Sequence, residues 1–291
     1  MKQFEKKVGT FKSFDGTEIY YEVRGQGKPL VLTYGIVCLM NHWHHQVKHF
    51  SENYQTILFD LRGHHNTPIP LDRENLSMDA IARDIPLLLE HLGIEKASFW
   101  GHSFGCQLLI RAYDMNPKMF ENLILINGFA KNPLTKTFGV EAVHQAFSIA
   151  KQGYDLLPET VSYIWKKAVK NPVAMRISAL AGGFNLNLTG FQDIEIYAKG
   201  VANVEADIFL TLFEQMIKYD GSGTLDRIEC PTLIISGQKD AVTPVQFQED
   251  LHKKIKGSEH IIVPHGTHCT QLDMPDFVNL KIEKFFKENK Y

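Results

Sequence analysis

The chain has 291 residues, of which 44% are hydrophobic and 22% charged, a composition typical of a globular protein with a sizeable buried core. Its formal net charge of −2 gives no electrostatic reason to expect nucleic acid or an anionic membrane as a partner. No apolar run approaches the ~20 residues that cross a bilayer, and the N-terminus lacks the apolar region of a secretory signal. Four cysteines without a C-x-x-C pair indicate neither a disulfide framework nor a zinc site. We therefore expect a cytoplasmic protein without nucleic-acid or membrane partners, and the composition leaves its oligomeric state open.

The first hundred residues alternate between strand and helix patterns. Residues 8–23 (VGTFKSFDGTEIYYEV) predict two strands joined at Asp15-Gly16, a dipeptide that favours tight hairpin turns. The turn GQGKP leads into a strand and not a helix, so its glycines and lysine do not indicate a phosphate site. Unbroken apolar runs, which are typical of a parallel sheet covered on both faces, predict strands at 30–34 (LVLTY), 54–60 (YQTILFD) and 97–100 (ASFW).

A long amphipathic pattern occupies residues 77–93 (SMDAIARDIPLLLEHLG). Its apolar residues recur every three or four positions, which predicts a helix with one buried face. Ser77 can cap the start of this helix, and Gly93 can end it. A second helical stretch at 107–117 and an apolar strand at 123–127 continue the alternation.

Residues 131–222 interrupt the alternation with helical patterns and few strand signals. The strand pattern returns at 232–236 (TLIIS) and 260–264 (HIIVP), and a closing helix follows. We therefore predict one α/β domain, built from residues 1–130 and 223–291, with a helical insertion at 131–222. Two consecutive domains fit less well, because the last two strands would then lack a sheet.

The pentapeptide GHSFG (101–105) follows a predicted buried strand and precedes a predicted helix. This is the context of a G-x-S-x-G nucleophile elbow, in which the serine occupies a sharp and strained strand-to-helix turn. Side chains at Gly101 and Gly105 would clash with the neighbouring strand and helix, so small residues are required there. We expect Ser103 to be a nucleophile and the backbone N–H of Phe104 to donate to an oxyanion. A chance pentapeptide in a glycine turn is the alternative.

A serine hydroxyl needs a base, and that base needs an acid that orients it. Among the thirteen histidines, His102 is poorly placed, because adjacent residues at an elbow point in different directions, and we expect its ring to be buried behind the serine. His268 lies on the loop after the last predicted strand, and Asp240 follows the strand at 232–236. The order Ser103, Asp240, His268 is the one that this type of elbow uses.

Five segments, in this order, resemble the α/β-hydrolase superfamily. They are the opening hairpin with the third strand (15–35), the loop after the fourth strand (ILFDLRGHHNT, 57–67), the elbow GHSFG, the acid-bearing strand (CPTLIISGQKD, 230–240) and the histidine loop with the last helix (HGTHCTQLDMPDFV, 265–278). The resemblance covers nearly all of the chain outside the insertion. It implies a twisted, mostly parallel eight-stranded sheet with helices on both faces, and it implies that residues 131–222 form a cap over the site.

Two departures from the family pattern concern loops around the site. The third strand of the family usually ends in His-Gly, but Tyr34 precedes Gly35 here, so the support beneath the oxyanion loop must differ. The backbone N–H of Ile36 can still donate to the oxyanion. The sequence RGHHNT (62–67) replaces a usually small, glycine-containing stretch, which predicts a reshaped loop near the pocket.

The histidine-rich stretch NHWHHQVKHF (41–50) raises the alternative of a metal site. His45 and His49 are one helical turn apart, but a zinc-protease motif would need Glu in place of Gln46, and no third ligand follows at a suitable spacing. We expect instead a crossover helix with largely solvated histidines and three inward apolar residues: Trp43, Val47 and Phe50. No metal and no organic cofactor is expected.

Cys106 and Cys269 flank two of the expected catalytic residues. A cysteine nucleophile needs a lowered pKa and its own base, but Cys106 has already begun the predicted helix and should face away from the reaction centre. We therefore expect buried, unreactive thiols at both positions. The apolar run IVCLM (36–40) follows the oxyanion position, and we expect part of it to line an apolar pocket, although a core role would also account for it. The insertion contributes aromatic candidates for the same lining: Phe138, Tyr163, Trp165, Phe184 and Phe209.

These patterns together predict a serine hydrolase for esters or lactones of small to medium, largely apolar substrates. Ser103 is the expected nucleophile, His268 the base and Asp240 the orienting acid, and the N–H groups of Ile36 and Phe104 hold the oxyanion. A ligand receptor with this fold and little turnover is the main alternative. Perhydrolysis without a cofactor, carbon–carbon bond hydrolysis and amide cleavage use the same three residues, so the triad does not separate them. A dehalogenase would need Asp at position 103.

Overall fold

The computed structural model describes residues 5–133, 140–169, 171 and 183–291. Its strands are Lys7–Lys12 (β1), Glu18–Arg24 (β2), Pro29–Thr33 (β3), Gln55–Phe59 (β4), Ala97–His102 (β5), Phe120–Ile126 (β6), Thr232–Gly237 (β7) and Glu259–Val263 (β8). They form one eight-stranded sheet in the order β1-β2-β4-β3-β5-β6-β7-β8. β2 pairs antiparallel with β1 and β4, and each remaining neighbouring pair is parallel. The prediction of a mostly parallel eight-stranded sheet is confirmed.

Helices connect the strands. The helices that the structure describes are His44–Phe50 (α1), Met78–Leu92 (α2), Phe104–Met115 (α3), Val140–Leu156 (α4), Pro158–Val169 (α5), Phe191–Ala202 (α6), Ala206–Lys218 (α7), Ser222–Leu225 (α8), Gln246–Lys254 (α9), Thr270–Asp273 (α10) and Pro275–Glu288 (α11). Single turns of 3-10 helix cover Met40–Trp43, Arg73–Asn75 and Pro117–Met119. None of the helices in the described ranges is both long enough and apolar enough to cross a bilayer.

Local signals set the bounds of α2, as the sequence predicts. The Ser77 hydroxyl accepts a hydrogen bond from the Ala80 N–H at 3.2 Å, which satisfies one of the free donors at the start of the helix. Gly93 ends the helix with φ 68°, a left-handed conformation that glycine adopts without a steric cost.

The central strands are buried on both faces. β5 and β7 are buried at every residue, and β3 and β6 at every residue but one. Helices on both sides remove these strands from water, which explains their unbroken apolar sequences. Their carboxyl ends lie along one edge of the sheet, and the loops at that edge carry the residues discussed below.

The segment between β6 and β7 contains α4 to α8, and its described elements are all helical. Its two ends lie side by side, because Lys131 and Asp220 form a β-bridge and the Gly221 N–H donates to the Ala130 carbonyl at 2.8 Å. The division into a core of residues 1–130 and 223–291 and a cap of residues 131–222 remains a proposal.

Candidate active site

Ser103 lies between the end of β5 and the start of α3, and its backbone has φ 54° and ψ −122°. A positive φ is strained for a residue with a side chain, as expected of a nucleophile elbow. The flanking glycines are required by close approach, because a Cβ atom at Gly101 would lie 2.9 Å from the Cys106 nitrogen and one at Gly105 would lie 2.5 Å from the Thr33 oxygen. The turn therefore presents the Ser103 hydroxyl at the carboxyl edge of the sheet.

The structure brings the three predicted catalytic side chains together. Ser103 Oγ lies 3.0 Å from His268 Nε2, and His268 Nδ1 lies 3.0 Å from Asp240 Oδ2. All three residues are buried, with 8% of Ser103, 8% of His268 and 5% of Asp240 exposed. With a proton on Nδ1, the imidazole donates to Asp240 and accepts the Ser103 hydroxyl proton, which is the arrangement that activates a serine.

Asp240 is held by hydrogen bonds that favour its ionised form. The N–H groups of Val242 and Thr243 each donate to Oδ1 at 2.8 Å. The side-chain amide of Asn127 donates to Oδ2 at 2.6 Å, and the Thr243 hydroxyl lies 2.7 Å from the same oxygen. Burial by itself would raise the pKa of Asp240, but the His268 ring and the Thr243 hydrogen bonds outweigh it, and the pKa is lowered.

The turn after β3 packs directly against the nucleophile. A Cβ atom at Gly35 would lie 3.1 Å from Ser103 Cβ. In this turn the Cys38 N–H donates to the Gly35 carbonyl, and the Val37 N–H donates to the His64 ring, but the Ile36 N–H has no acceptor among the described residues. The Ile36 N–H is therefore available to a ligand on Ser103.

The predicted second donor, Phe104, begins α3, and no side chain caps this helix. Its N–H group belongs to the first turn of the helix, where the backbone donors have no intrahelical acceptor. This N–H is therefore also available to an oxyanion. The oxyanion roles of Ile36 and Phe104 remain proposals.

The two segments that depart from the family pattern, Tyr34 and residues 62–67, lie together beneath the turn after β3. The Tyr34 hydroxyl donates to Asp60 Oδ1 at 3.1 Å and accepts from the Leu61 N–H at 2.9 Å. His64 Nε2 accepts from the Val37 N–H at 3.3 Å, and His65 Nε2 donates to the Cys38 carbonyl at 2.8 Å. The loop after β4 thus fixes the backbone of the turn after β3 by hydrogen bonds.

A cavity of about 340 Å³ opens beside Ser103 and His268. Its described lining contains no Lys, Arg, Asp or Glu, and its apolar members include Ile36, Val37, Phe129, Phe184, Phe209 and Met216. The start of the run at 36–40 therefore lines the cavity, while Met40 is core. Two of the aromatic residues predicted to line the cavity, Tyr163 and Trp165, do not belong to its described lining. Tyr163 is 64% exposed, and Trp165 stacks on Phe209. Phe138 lies outside the described residues.

Comparison with known proteins agrees with this architecture. The model of a family described as alpha/beta hydrolase fold matches residues 28–160, and one described as TAP-like protein matches residues 216–291. The chain belongs to the α/β-hydrolase superfamily. An esterase from Exiguobacterium antarcticum has a similar structure, with a TM-score of 0.77 at 20% identity over 96% of this chain and 98% of that one. At this identity the likeness concerns the fold alone.

Two curated relatives of this α/β-hydrolase carry different names. The mouse (Mus musculus) protein named epoxide hydrolase 4 is 27% identical over 289 residues, which cover 94% of this chain and 77% of the relative. Karrikin insensitive 2 receptor IA of Petunia hybrida is 25% identical over 262 residues, which cover 89% of this chain and 90% of the relative. The relatives thus include a protein named as an enzyme and one named as a receptor.

His102 of this α/β-hydrolase is buried behind Ser103, as predicted. Its Nε2 atom donates to the backbone carbonyl of His268 at 2.7 Å, so the ring supports the loop that carries His268. Burial lowers the pKa of His102 well below its usual range, and the His42 and His268 rings add to this effect. The two predicted buried thiols, Cys106 and Cys269, are also confirmed, and burial raises the pKa of both.

The prediction of largely solvated histidines at 41–50 is wrong for His42. Only 3% of His42 is exposed, and its ring lies 4.5 Å from that of His102. The 3-10 turn before α1 points His42 inward, because the helical period changes at this junction. The inward placement of Trp43, Val47 and Phe50 is confirmed.

Sequence reasoning missed Asn127 and Thr243. Asn127 directly follows the buried strand β6 and has φ 49°, and the Thr243 hydroxyl lies 3.0 Å from the Asn127 carbonyl oxygen. A polar residue directly after an apolar strand, next to the strand that carries the acid, is the signal that would have pointed to Asn127. Thr243 lies three residues after Asp240, within reach of a side-chain-to-backbone turn.

Two groups of side chains in the described residues have the composition of a metal site. His42, His102 and Cys269 form a fully buried group, in which His102 Nε2 bonds the His268 carbonyl and the Gln271 amide contacts His42 Nε2. The Nε2 atom of each ring is thus already engaged within the protein. The second group, His44, His45 and Asp193, is partly exposed.

Proposed function

We propose that the protein is a serine hydrolase that cleaves esters or lactones of small to medium, largely apolar substrates. The observation that carries the proposal is the hydrogen-bonded chain from Ser103 Oγ through His268 to Asp240, beside an apolar cavity. We also propose that the helices of residues 131–222 act as a cap over this cavity, since Phe184, Phe209 and Met216 come from that segment.

The geometry supports the following reaction. Ser103 Oγ attacks the substrate carbonyl carbon while its proton passes to His268 Nε2, and Asp240 stabilises the imidazolium. The N–H groups of Ile36 and Phe104 stabilise the oxyanion. The tetrahedral adduct collapses, and the imidazolium protonates the leaving alkoxide, which gives an acyl-enzyme on Ser103. His268 then removes a proton from water, and the resulting hydroxide attacks the acyl carbon to release the acid.

The cavity supports a neutral substrate of modest size. Because its described lining carries no charged partner for a substrate carboxylate, a charged group there would be desolvated without compensation. A volume of about 340 Å³ lies near the lower end of the roughly 300–1,000 Å³ that is usual for small-molecule pockets. Short to medium acyl groups therefore fit better than long ones.

A serine nucleophile argues against epoxide hydrolysis, despite the name of the mouse relative. Opening an oxirane with Ser103 would give an ether, which has no carbonyl for water to attack, so the enzyme would stay alkylated. A carboxylate nucleophile would form an ester that water can cleave. The residue at position 103 therefore favours carbonyl substrates.

The test is active-site labelling combined with an ester panel. A fluorophosphonate probe should modify Ser103, as located by peptide mass spectrometry, and Ser103→Ala should abolish labelling. Hydrolysis of p-nitrophenyl esters should be fastest for acyl chains of about two to six carbons and fall for longer chains. Labelling at Cys106, or no labelling of the folded protein, would contradict the proposed nucleophile.

A ligand receptor is the second candidate, and the petunia relative named as a receptor favours it. A receptor would keep the triad for ligand recognition and show little turnover. Probe labelling of Ser103 together with no hydrolysis across esters and lactones, and tight binding of a ligand that contains a carbonyl, would favour this candidate over the enzyme.

A further inference from the structure

A second cluster of polar side chains lies away from the proposed catalytic cavity, where α1 meets α6. His44 and His45 occupy the first turn of α1, and Asp193 occupies the first turn of α6. His44 Nε2 lies 3.1 Å from Asp193 Oδ1, and His45 Nε2 lies 3.2 Å from Asp193 Oδ2. The three residues are absent from the described lining of the cavity, so this cluster has no part in the proposed hydrolysis.

The tautomer of His44 can be assigned from its second hydrogen bond. Its Nδ1 atom lies 2.7 Å from the backbone carbonyl of Asn41, which only accepts hydrogen bonds, so Nδ1 carries a proton. A neutral His44 then directs the lone pair of Nε2 at a carboxylate oxygen 3.1 Å away. Two lone pairs repel, so the contact requires positive charge between the two atoms, either a second proton or a cation.

The ligand atoms of all three side chains lie within 4.8 Å of one another. A proton bridges only one nitrogen–oxygen pair, whereas a single metal ion is held by both imidazoles and the carboxylate at once.

The spacing of the ligand atoms matches a transition-metal site. Zinc binds imidazole nitrogen and carboxylate oxygen at about 2.0–2.2 Å, so two ligands of a tetrahedral zinc ion lie about 3.3 Å apart. The observed nitrogen–oxygen distances of 3.1 and 3.2 Å are close to that value. The hydrogen bond from His44 Nδ1 to a backbone carbonyl is the outer-shell contact that orients metal-bound histidines.

The cluster is also accessible. The side chains of His44 and His45 are 33% and 32% exposed, and that of Asp193 is 13% exposed. An ion can therefore enter from solvent, and a water molecule can complete a fourth position. Two imidazoles and one carboxylate are ligands that suit Zn²⁺ and its neighbours in the first transition row.

We infer that His44 Nε2, His45 Nε2 and the Asp193 carboxylate form a binding site for a divalent transition metal such as Zn²⁺, distinct from the Ser103 centre. The ion joins α1 to α6. Gly200 of α6 also packs on Leu39, three residues beyond Ile36, since a Cβ atom at Gly200 would lie 2.7 Å from Leu39 Cδ2. Metal binding therefore tightens the contact between the helical segment and the loop beside the cavity.

The test is zinc titration of the full chain after chelator treatment, followed by calorimetry and by the thermal midpoint of unfolding. We expect one zinc ion per chain and a midpoint that rises with zinc concentration. Changes to outer-shell partners alone cost about 10–100-fold in metal affinity, so His44→Ala, His45→Ala and Asp193→Asn should each weaken binding at least about tenfold.

His49→Ala is the matched control, because His49 lies in the same helix but pairs with Glu283, and it should bind zinc as the wild type does. Equal zinc affinity in the wild type and all three ligand variants, or no saturable binding by the wild type, would overturn the site and leave a protonated histidine–aspartate pair. If Asp193→Asn does not fold, His45→Ala decides the question, because its side chain is partly exposed and its removal leaves no buried cavity.

Discussion

At the scale of single residues, the Thr243 hydroxyl is the contact whose removal is most informative. It lies 2.7 Å from Asp240 Oδ2, and this buried carboxylate is ionised in the folded protein. Thr243→Val removes the hydroxyl and keeps the shape and the backbone N–H. We expect the free energy of unfolding at pH 7 to fall by about 1.5–3 kcal/mol, the usual contribution of a hydrogen bond to a charged group. Urea unfolding measures this change.

The stability that Thr243→Val loses should depend on pH, because it depends on the charge of Asp240. The folded-state pKa of Asp240 lies below its ordinary value of 3.8, so its contribution is complete above about pH 4 and is lost as the pH falls through the folded pKa. The difference between Thr243→Val and the wild type should therefore be full at pH 7 and shrink below pH 4. Thr243→Ser keeps the hydroxyl and is the control. A difference that is independent of pH would show that the hydroxyl does not act through Asp240.

The two histidines near Ser103 differ in role according to the structure. His268 bonds the Ser103 hydroxyl, whereas His102 donates from Nε2 to the backbone carbonyl of His268. On the proposed mechanism, His268→Ala should lower kcat for ester hydrolysis by roughly four orders of magnitude or more. His102→Ala should retain measurable turnover, although it removes a buried ring. Steady-state kinetics on both variants, with folding checked by circular dichroism, would reveal a reversed assignment.

At the scale of elements, a buried ion pair joins the β1–β2 hairpin, the loop after β4 and α2. Arg62 is fully buried and donates from Nε and Nη2 to the two oxygens of Asp84 at 2.7 and 2.8 Å. It also donates to Asp15 in the hairpin turn at 2.5 Å. Arg62→Ala should lower the free energy of unfolding by about 3–5 kcal/mol, because it leaves the buried Asp84 carboxylate without a charged partner.

Arg111 forms a partly exposed ion pair with which the buried pair of Arg62 can be compared. It makes an equally well-formed pair with Asp79, which joins α3 to α2, but the Asp79 side chain is 60% exposed. Water screens such a pair, so Arg111→Ala should cost about 1 kcal/mol or less in the same urea-unfolding measurement. Equal losses for the two arginine variants would contradict the view that burial decides the strength of these contacts.

At the scale of the whole molecule, buried neutral histidines make the fold sensitive to acid. Burial lowers the pKa of His64 to about 4 and that of His42 to about 3. In the unfolded chain a histidine takes up its proton near pH 6.5, so between pH 6.5 and 4 the unfolded state binds more protons than the folded state. The free energy of unfolding should therefore fall as the pH drops through this window, by on the order of 3 kcal/mol for His64 alone.

His64→Gln isolates that contribution, since glutamine keeps an acceptor for the Val37 N–H but does not titrate. Relative to the wild type, the variant should lose stability less steeply between pH 6.5 and 4, by up to about 1.4 kcal/mol per pH unit. Urea unfolding at pH 7, 5.5 and 4.5 gives both curves, and carboxylate effects cancel in their difference. Parallel curves would mean that folding leaves the pKa of His64 unchanged.

Local patterns predict a large part of this molecule. Apolar runs predict each central strand, because a strand that is buried on both faces has no solvent-exposed face on which polar residues would alternate with apolar ones. The bounds of α2 follow from Ser77 and Gly93, which act within one turn of the chain. The elbow at Ser103 is also predicted by a local pattern, since the close contacts in a strand-to-helix turn of this kind require glycine on both sides of the serine.

The acid and the base are predicted by their order after particular strands, because the carboxyl ends of parallel strands share one edge of the sheet. The pattern fails where a contact depends on helix phase. His42 has the same local sequence context as the partly exposed His44 and His45, and only the switch from a 3-10 turn to α1 directs it inward.

The sequence by itself therefore determined the sheet, the elbow and the order of the proposed catalytic residues, since each follows from spacing along one segment or from strand order. The tertiary structure decided the rest. Asn127 meets Thr243 across 116 positions, and His45 meets Asp193 across 148. Local sequence patterns do not predict these contacts, because the contacts form only when the sheet edge and the packed helices bring distant turns within hydrogen-bond distance.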